Sequence, residues 1–422
     1  MKKIRLMTAV LALMLTGCSY GNTTSQSTDN LEEASAIGTE ASSASKEDIA
    51  GEAATTEEED MGNVIRIPDN EAIDFVQNLK IGYNLGNTFD SYSEKKTVAE
   101  PEMETLWGNP ETTREFIVAL HESGFETIRI PVSWHNHVDE ELNINEEWLS
   151  RVQEVVDYAY EEGMYVILNI HHDNHLEANG FYPDKDHEEQ SLNYIEKIWT
   201  QLSDRFKDYD EKLIFESLNE PRLVGHTNEW WIDMNSQDCL DAISIINEMN
   251  QKFVDVVRAS GGYNSERYLL CPGYCASPKG ILNDNFVIPT DTVENRIILS
   301  VHSYLPHSFA LESDGTDSFN PESYVDTKDI NDYFEKIYNK YISQGIPVII
   351  GECGCVDKDN LEARVDWADY FSAKAKEYGM TFCWWDNGLF SGDGEKFGLM
   401  NRETGEVVFP EILEAMLNNC IE

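Results

Sequence analysis

Cations are scarce in this chain: 31 lysines and arginines stand against 78 aspartates and glutamates, giving a formal charge of −47 over 422 residues. A surface that acidic repels phosphate backbones and anionic headgroups, so nucleic acid is not an expected partner. A neutral polymer such as a polysaccharide meets no such repulsion. Long apolar runs are also missing. The one near the start, within "MKKIRLMTAVLALMLTGCSYG", is too short to span a bilayer. The 8 cysteines show no close, regular spacing, and setting Cys18 aside leaves an odd number, so no disulfide framework is legible. "GYNLGN" lacks the G-x-G-x-x-G spacing of a phosphate-binding turn, and no internal repeat recurs along the chain.

The start of the chain has a basic opening (Lys2, Lys3, Arg5), an apolar stretch and small residues ahead of Cys18. This is the pattern of an export signal, and "LTGC" resembles a bacterial lipobox in which Cys18 carries the lipid and tethers the protein to a membrane surface. Residues 19–62 follow as a solvated Ser/Thr/Ala-rich tether with 11 acidic side chains and one lysine. With three cations in residues 1–18, this leaves −40 on residues 63–422, which are expected to form the folded domain. Hydrophobic residues at 41% supply that domain with a large core.

From residue 81 onward, eight short apolar runs alternate with amphipathic ones: "IGYN", "TIRI", "YVILNIHH", "LIFESLNE", "YLLCPGY", "IILSVHSY", "PVIIGECG" and "TFCWWDNG". Helical patterns lie between them, such as "PETTREFIVALHES", with Pro110 suited to a first turn, and "EEWLSRVQEVVDYAYEEG", closed by Gly163. Strands apolar on both faces and separated by helices predict a parallel sheet, and eight such units predict a single-domain (β/α)8 barrel. Polar residues gather at the carboxyl ends of these runs: Asn84, Arg129, His171, Glu220, Tyr274, Tyr304, Glu352 and Trp385. Barrel enzymes build their sites at that face.

Glu220 and Glu352 are 132 residues apart in sequence, yet a closed barrel brings the fourth and seventh strand ends to opposite sides of one cleft. Two facing carboxyl groups are what glycosidic hydrolysis requires: one protonates the leaving oxygen while the other attacks the anomeric carbon or activates water. Glu216 alternates onto the side of Glu220 but deeper, where a buried pair with Arg129 would satisfy it. His171, His172 and Asp173 could be read as metal ligands. However, neighbours along a strand point to opposite faces and do not readily share one ion, so no metal is expected.

Together "NEP" after an apolar run, "RIPVSW", "NIHH", "VHSY", "GECG" and "WWDNG" resemble glycoside hydrolase family 5, the cellulase-type retaining β-glycanases, over roughly residues 64–420. "GYNLGNTFD" and "LWGNPETT" are most similar to its subfamily 4, which contains endoglucanases and xyloglucanases. One motif alone is weak, but eight in the expected order are specific. The resemblance implies an acid/base at Glu220 and a nucleophile at Glu352, with supporting roles for Arg129, His171, Asn219, His302, Tyr304 and Trp385.

Arg129 and Tyr304 can donate to Glu352, while the Asn219 amide can bond the sugar 2-hydroxyl. Trp385 offers a flat face for the pyranose ring. Glu220, facing a second carboxylate, is expected to carry a raised pKa and start protonated. His172 can touch sugar from beyond its strand, and Trp107 and Trp231 are open between sugar platforms and core packing. Loops 88–109, 221–237 and 305–325 are expected to set specificity. The reading that results is an exported, lipid-tethered monomer that cuts internal β-1,4 bonds of glucans without cofactor. Xyloglucan, mixed-linkage glucan and mannan are alternative substrates. The rival from another class is a noncatalytic glycan-binding lipoprotein, which would need aromatic platforms but neither carboxylate.

Overall fold

The eight apolar runs become eight parallel strands: β1 Ile81–Leu85, β2 Thr127–Ile130, β3 Tyr165–Asn169, β4 Leu213–Glu216, β5 Leu269–Pro272, β6 Ile297–Ser303, β7 Val348–Cys353 and β8 Thr381–Asp386. In the computed structural model, which describes residues 65–93, 102–392 and 394–420, they close into a barrel in sequence order, with β8 pairing β1. The expected (β/α)8 architecture is the observed one. All described residues belong to one compact unit, Gly62–Glu422. The signal (1–18, with Cys18) and the tether (19–62) expected from the sequence lie outside the described residues.

The helices are α1 Glu71–Asn78, α2 Arg114–Glu122, α3 Glu146–Glu161, α4 Glu188–Arg205, α5 Gln237–Ala259, α6 Pro278–Leu282, α7 His307–Ala310, α8 Tyr324–Lys340, α9 Leu361–Glu377 and α10 Pro410–Asn418. None of the described helices is long and apolar enough to cross a membrane. Asn145 starts α3 by accepting from the backbone N–H groups of Glu147 and Trp148, and Gly163, at φ +85°, ends the turn that follows. Pro110 does not sit in the first turn of α2 as expected. Thr113 caps that helix by accepting from Phe116 N–H, which moves the start past the proline.

Two layers of packing follow from strand alternation. Outward residues such as Ile128, Leu168 and Phe215 join Phe116, Val152 and Trp199 of the helices in one buried cluster. Inward residues Ile167, Ile214, Leu270, Ile298, Ile349 and Cys383 fill the barrel floor, where α1 stoppers it with Ala72, Phe75, Val76 and Leu79. Phe75 stacks on Tyr268 with ring centroids 3.6 Å apart. The interior is therefore apolar at the amino ends of the strands, and the polar residues are left to the carboxyl ends.

A hairpin turns around Glu403–Gly405, with Met400 bridging Val407. Its Arg402 is buried and donates to Gly86 O, Thr88 Oγ1, Tyr83 Oη and Asp386, closing the β8–β1 seam. The seven cysteines among the described residues are all unpaired, and all but Cys420 are buried.

Candidate active site

Arg129 rises from the middle of β2 into the barrel, wholly buried, and each of its donors is taken. Nε and Nη2 reach Glu216 Oε2 at 2.8 and 2.7 Å. Nη1 reaches Asn84 Oδ1 at 2.8 Å and Glu352 Oε1 at 2.7 Å, and Nη2 reaches Asn219 Oδ1 at 2.8 Å. Burial opposes its charge, but the Glu216 and Glu352 carboxylates outweigh that and push its pKa up. Glu216, the deep carboxylate, also accepts from Ser300 Oγ at 2.6 Å and Asn169 Nδ2 at 3.0 Å. It is the structural partner of Arg129, as its position on β4 suggested.

Glu352 sits on β7 opposite His302 of β6, at a register shift between Val301 and His302. Such a shift re-aims side chains, and here it turns both into the cleft. Its second oxygen accepts from Tyr304 Oη at 3.0 Å. Burial and the nearby Glu352 carboxylate push the Tyr304 pKa up, so the phenol keeps its proton and donates. With its carbonyl turned to Arg129, Asn219 keeps its amide N–H groups to donate elsewhere.

Glu220 lies four residues beyond the last residue of β4, not at the strand end as expected. His302 Nδ1 stands 2.8 Å from Glu220 Oε1 and 3.5 Å from Glu352 Oε2. One ligand-type atom from each of Glu220, His302 and Glu352 lies within 4.8 Å of the others, so the two carboxyl groups face each other across a single imidazole. This corrects the expected protonation. Burial pushes Glu220 up, but the hydrogen bond and charge of His302, then Arg222 and His172, outweigh it and hold its pKa below the ordinary value. Burial works against the His302 charge, yet Glu352 and Glu220 push its pKa up. Both directions place the proton of this pair toward His302.

A second group of side chains forms the adjoining wall. The His171 ring lies parallel to Trp385 of β8, with centroids 5.9 Å apart at 2°. A Cβ at Gly86 would come within 2.8 Å of the Trp385 ring, so glycine there makes room for the indole. His171 and His172 do not point to opposite faces: their rings meet edge to face at 4.4 Å. β3 ends at Asn169, so strand alternation no longer governs them. Asp173 turns away to accept from Trp134 N–H, His135 N–H and Tyr194 Oη. Asp90 takes the place near the two histidines instead, with its oxygens accepting from Asn87 and Thr88 N–H. Burial pushes the pKa of Asp90 up to about 6 and that of His172 down to about 4.

Trp107 joins this wall, 5.7 Å from His172, through Tyr92, which touches both rings. Tyr92 was not singled out in the sequence, because a lone aromatic in a loop carries no period that marks it. Trp231 stands apart, 64% exposed, with Lys279 over its ring at 5.5 Å. Trp134 and Trp384 are core residues, fully buried. Tyr274 is not in the cleft: its hydroxyl accepts from Leu223 N–H and donates to Asn228 O, fixing the loop after β4.

Comparison with known proteins follows the same lines. The family model described as Cellulase (glycosyl hydrolase family 5) matches residues 91–391, and that of a prokaryotic membrane lipoprotein lipid attachment site matches residues 1–19. Endoglucanase B of Ruminococcus albus is 42% identical over 345 residues, covering 81% of this chain and 79% of that protein. Cellulase/esterase CelE of Acetivibrio thermocellus is 38% identical over 83% of this chain, which spans only 41% of that longer protein. A solved glycoside hydrolase 5 lichenase from Caldicellulosiruptor sp. F32, in complex with cellotetraose, superposes with a TM-score of 0.82 at 48% identity, covering 84% of this chain and 97% of that one.

Proposed function

Since this chain belongs to glycosyl hydrolase family 5, we propose that it cuts internal β-1,4 bonds of glucans with net retention, using Glu352 as nucleophile and Glu220 as acid/base. The observation that carries this reading is the approach of Glu220, His302 and Glu352 atoms to within 4.8 Å. Retaining enzymes hold their carboxyl groups about 5–5.5 Å apart, whereas inverting ones need about 6.5–9.5 Å to admit a water. Direct attack fits this cleft and water-mediated inversion does not.

In the first step Glu352 Oε bonds to the anomeric carbon as the glycosidic C–O bond breaks. The proton of the Glu220–His302 pair passes through Glu220 to the departing oxygen. Glu220 then takes a proton from water while the water oxygen displaces the ester, which restores Glu352. Arg129 and Tyr304 fix both oxygens of the nucleophile, and Asn219 bonds the 2-hydroxyl as positive charge grows on the ring. Asn84 holds Arg129 in register. Trp385 and His171 form one wall against the sugar at the cleavage point. Trp107 and His172 line the neighbouring wall, and Trp231 is an outlying contact for a longer chain.

The likeness to a lichenase supports mixed-linkage β-glucan as a further substrate in this reading. The lipoprotein attachment site matched at residues 1–19 makes this an exported, membrane-anchored protein, and our reading adds to it a lipid on Cys18, residues 19–62 as tether and a monomeric domain 63–422. The test is release of reducing ends from carboxymethyl-cellulose, mixed-linkage glucan, xyloglucan and glucomannan by wild type and Glu352→Gln. Wild type is expected to cleave the β-glucans, and the variant to fold normally and lose more than about 10⁴-fold in turnover. Binding without cleavage by wild type, or an active variant, overturns the reading.

A further inference from the structure

Arg222, two residues past Glu220, is used by none of the steps above, yet it is held against that carboxyl group. Its Nη1 donates to the Glu220 backbone carbonyl at 3.0 Å and stands 3.9 Å from Glu220 Oε2. Its Nε donates to Glu229 Oε1 at 3.2 Å, and its guanidinium lies over the Trp230 ring, 4.0 Å from the centroid. Glu229 is fixed in turn: Oε2 accepts from Gly225 N–H at 2.8 Å, and its backbone carbonyl accepts from the Cys275 thiol at 3.0 Å. The side chains of Glu220, Arg222 and Glu229 are 19%, 18% and 21% exposed, so solvent screens their mutual field only in part. Trp230 is thus the shelf under a cation, with one face already covered.

We propose that Arg222 and Glu229 are an opposed pair of fixed charges that sets the pH at which the acid/base Glu220 gives up its proton. This rests on the assignment of Glu220 as acid/base, and both partners are positioning residues that act through it. When the glycosidic C–O bond breaks, the proton leaves Glu220 for the departing oxygen, and a carboxylate appears 3.9 Å from the cation. When Glu220 next takes a proton from water, that favourable contact is given up. Arg222 therefore favours proton release, and Glu229, sharing the guanidinium, moderates it.

Other groups face Glu220 from every side. His302 comes from β6 and Glu352 from β7. Tyr304, His172, Cys275 and Glu395 act on it from the loops after β6, β3, β5 and β8. None of these changes when residue 222 or 229 is substituted, so the sign of each shift belongs to the pair. It also holds wherever the Glu220–His302 proton rests, since a nearby cation eases proton loss from either.

The experiment is the pH profile of kcat/KM on a soluble cello-oligosaccharide, using the full chain. Removing the cation in Arg222→Gln is expected to move the basic limb up by about one pH unit. Removing the competing anion in Glu229→Gln is expected to move it down by about half a unit, and Arg222→Lys, which keeps the charge, to leave it near wild type. Loosening of the loop alone would not give shifts of opposite sign. Shifts in the same direction, or none, with Glu220→Ala inactive, overturn this proposal alone. An active Glu220→Ala overturns the acid/base assignment and this proposal with it. If Arg222→Gln does not fold, Glu229→Gln decides: a downward shift supports the pair, and an upward or absent one overturns it.

Discussion

Arg129 is the residue on which the site depends, because five N–H groups in a rigid fork meet four acceptors that come from β1, β4, the loop after β4 and β7. Removing it would strand Glu216, fully buried, without its counter-charge. Arg129→Met is therefore expected to cost about 3–5 kcal/mol of stability, read as a lowered urea midpoint at unchanged slope. A loss below about 1 kcal/mol would mean that Glu216 is satisfied by Ser300 and Asn169 alone. The Arg129–Glu216 pair was legible in the sequence because both lie within strands, where alternation sorts inward from outward. Alternation could not reach Glu220, His171 or His172, which sit past their strands, and it misjudged the last two. The protonation of Glu220 was misread for a related reason: the pair of carboxylates is visible in sequence, but the imidazole between them is a matter of three-dimensional register, set by the shift at His302.

At the scale of elements, the eight strands could be read because each carries apolar residues on both faces ahead of the polar ones that enter the site, as a sheet covered on its outer face requires. α1 could not be read that way. It spans only Glu71–Asn78, and its partners on the barrel floor are spread from Ile167 to Cys383. Its contribution can still be weighed. Phe75 is 7% exposed and stacked on Tyr268, so Phe75→Ala should cost about 3–5 kcal/mol in chemical denaturation. Near-wild-type stability would show that α1 is a dispensable lid. The same helix explains why the site forms at the far end: an apolar stopper below leaves the carboxyl ends of the strands to Arg129, Glu216, Glu220 and Glu352, which satisfy one another there.

Across the whole molecule the property that stands out is charge, −47 over the full sequence. It should be felt in substrate choice by charge more than by linkage. Carboxymethyl-cellulose is expected to be cleaved at least about twofold faster at 0.15 M than at 0.01 M salt, as screening lengthens encounters with an anionic polymer, whereas a neutral β-glucan should show no such gain. An equal response from both would show that the surface charge plays no part in selecting substrate. The chemistry itself has one direct test on the whole protein: incubation with a 2-deoxy-2-fluoro cellobiosyl fluoride, whose fluorine slows hydrolysis of the glycosyl ester, followed by intact and peptide mass measurement. One cellobiosyl unit on the peptide that contains Glu352, and on no other, is the predicted result. The sugar on a different residue, or turnover with no covalent adduct at any time, would contradict the double displacement proposed here.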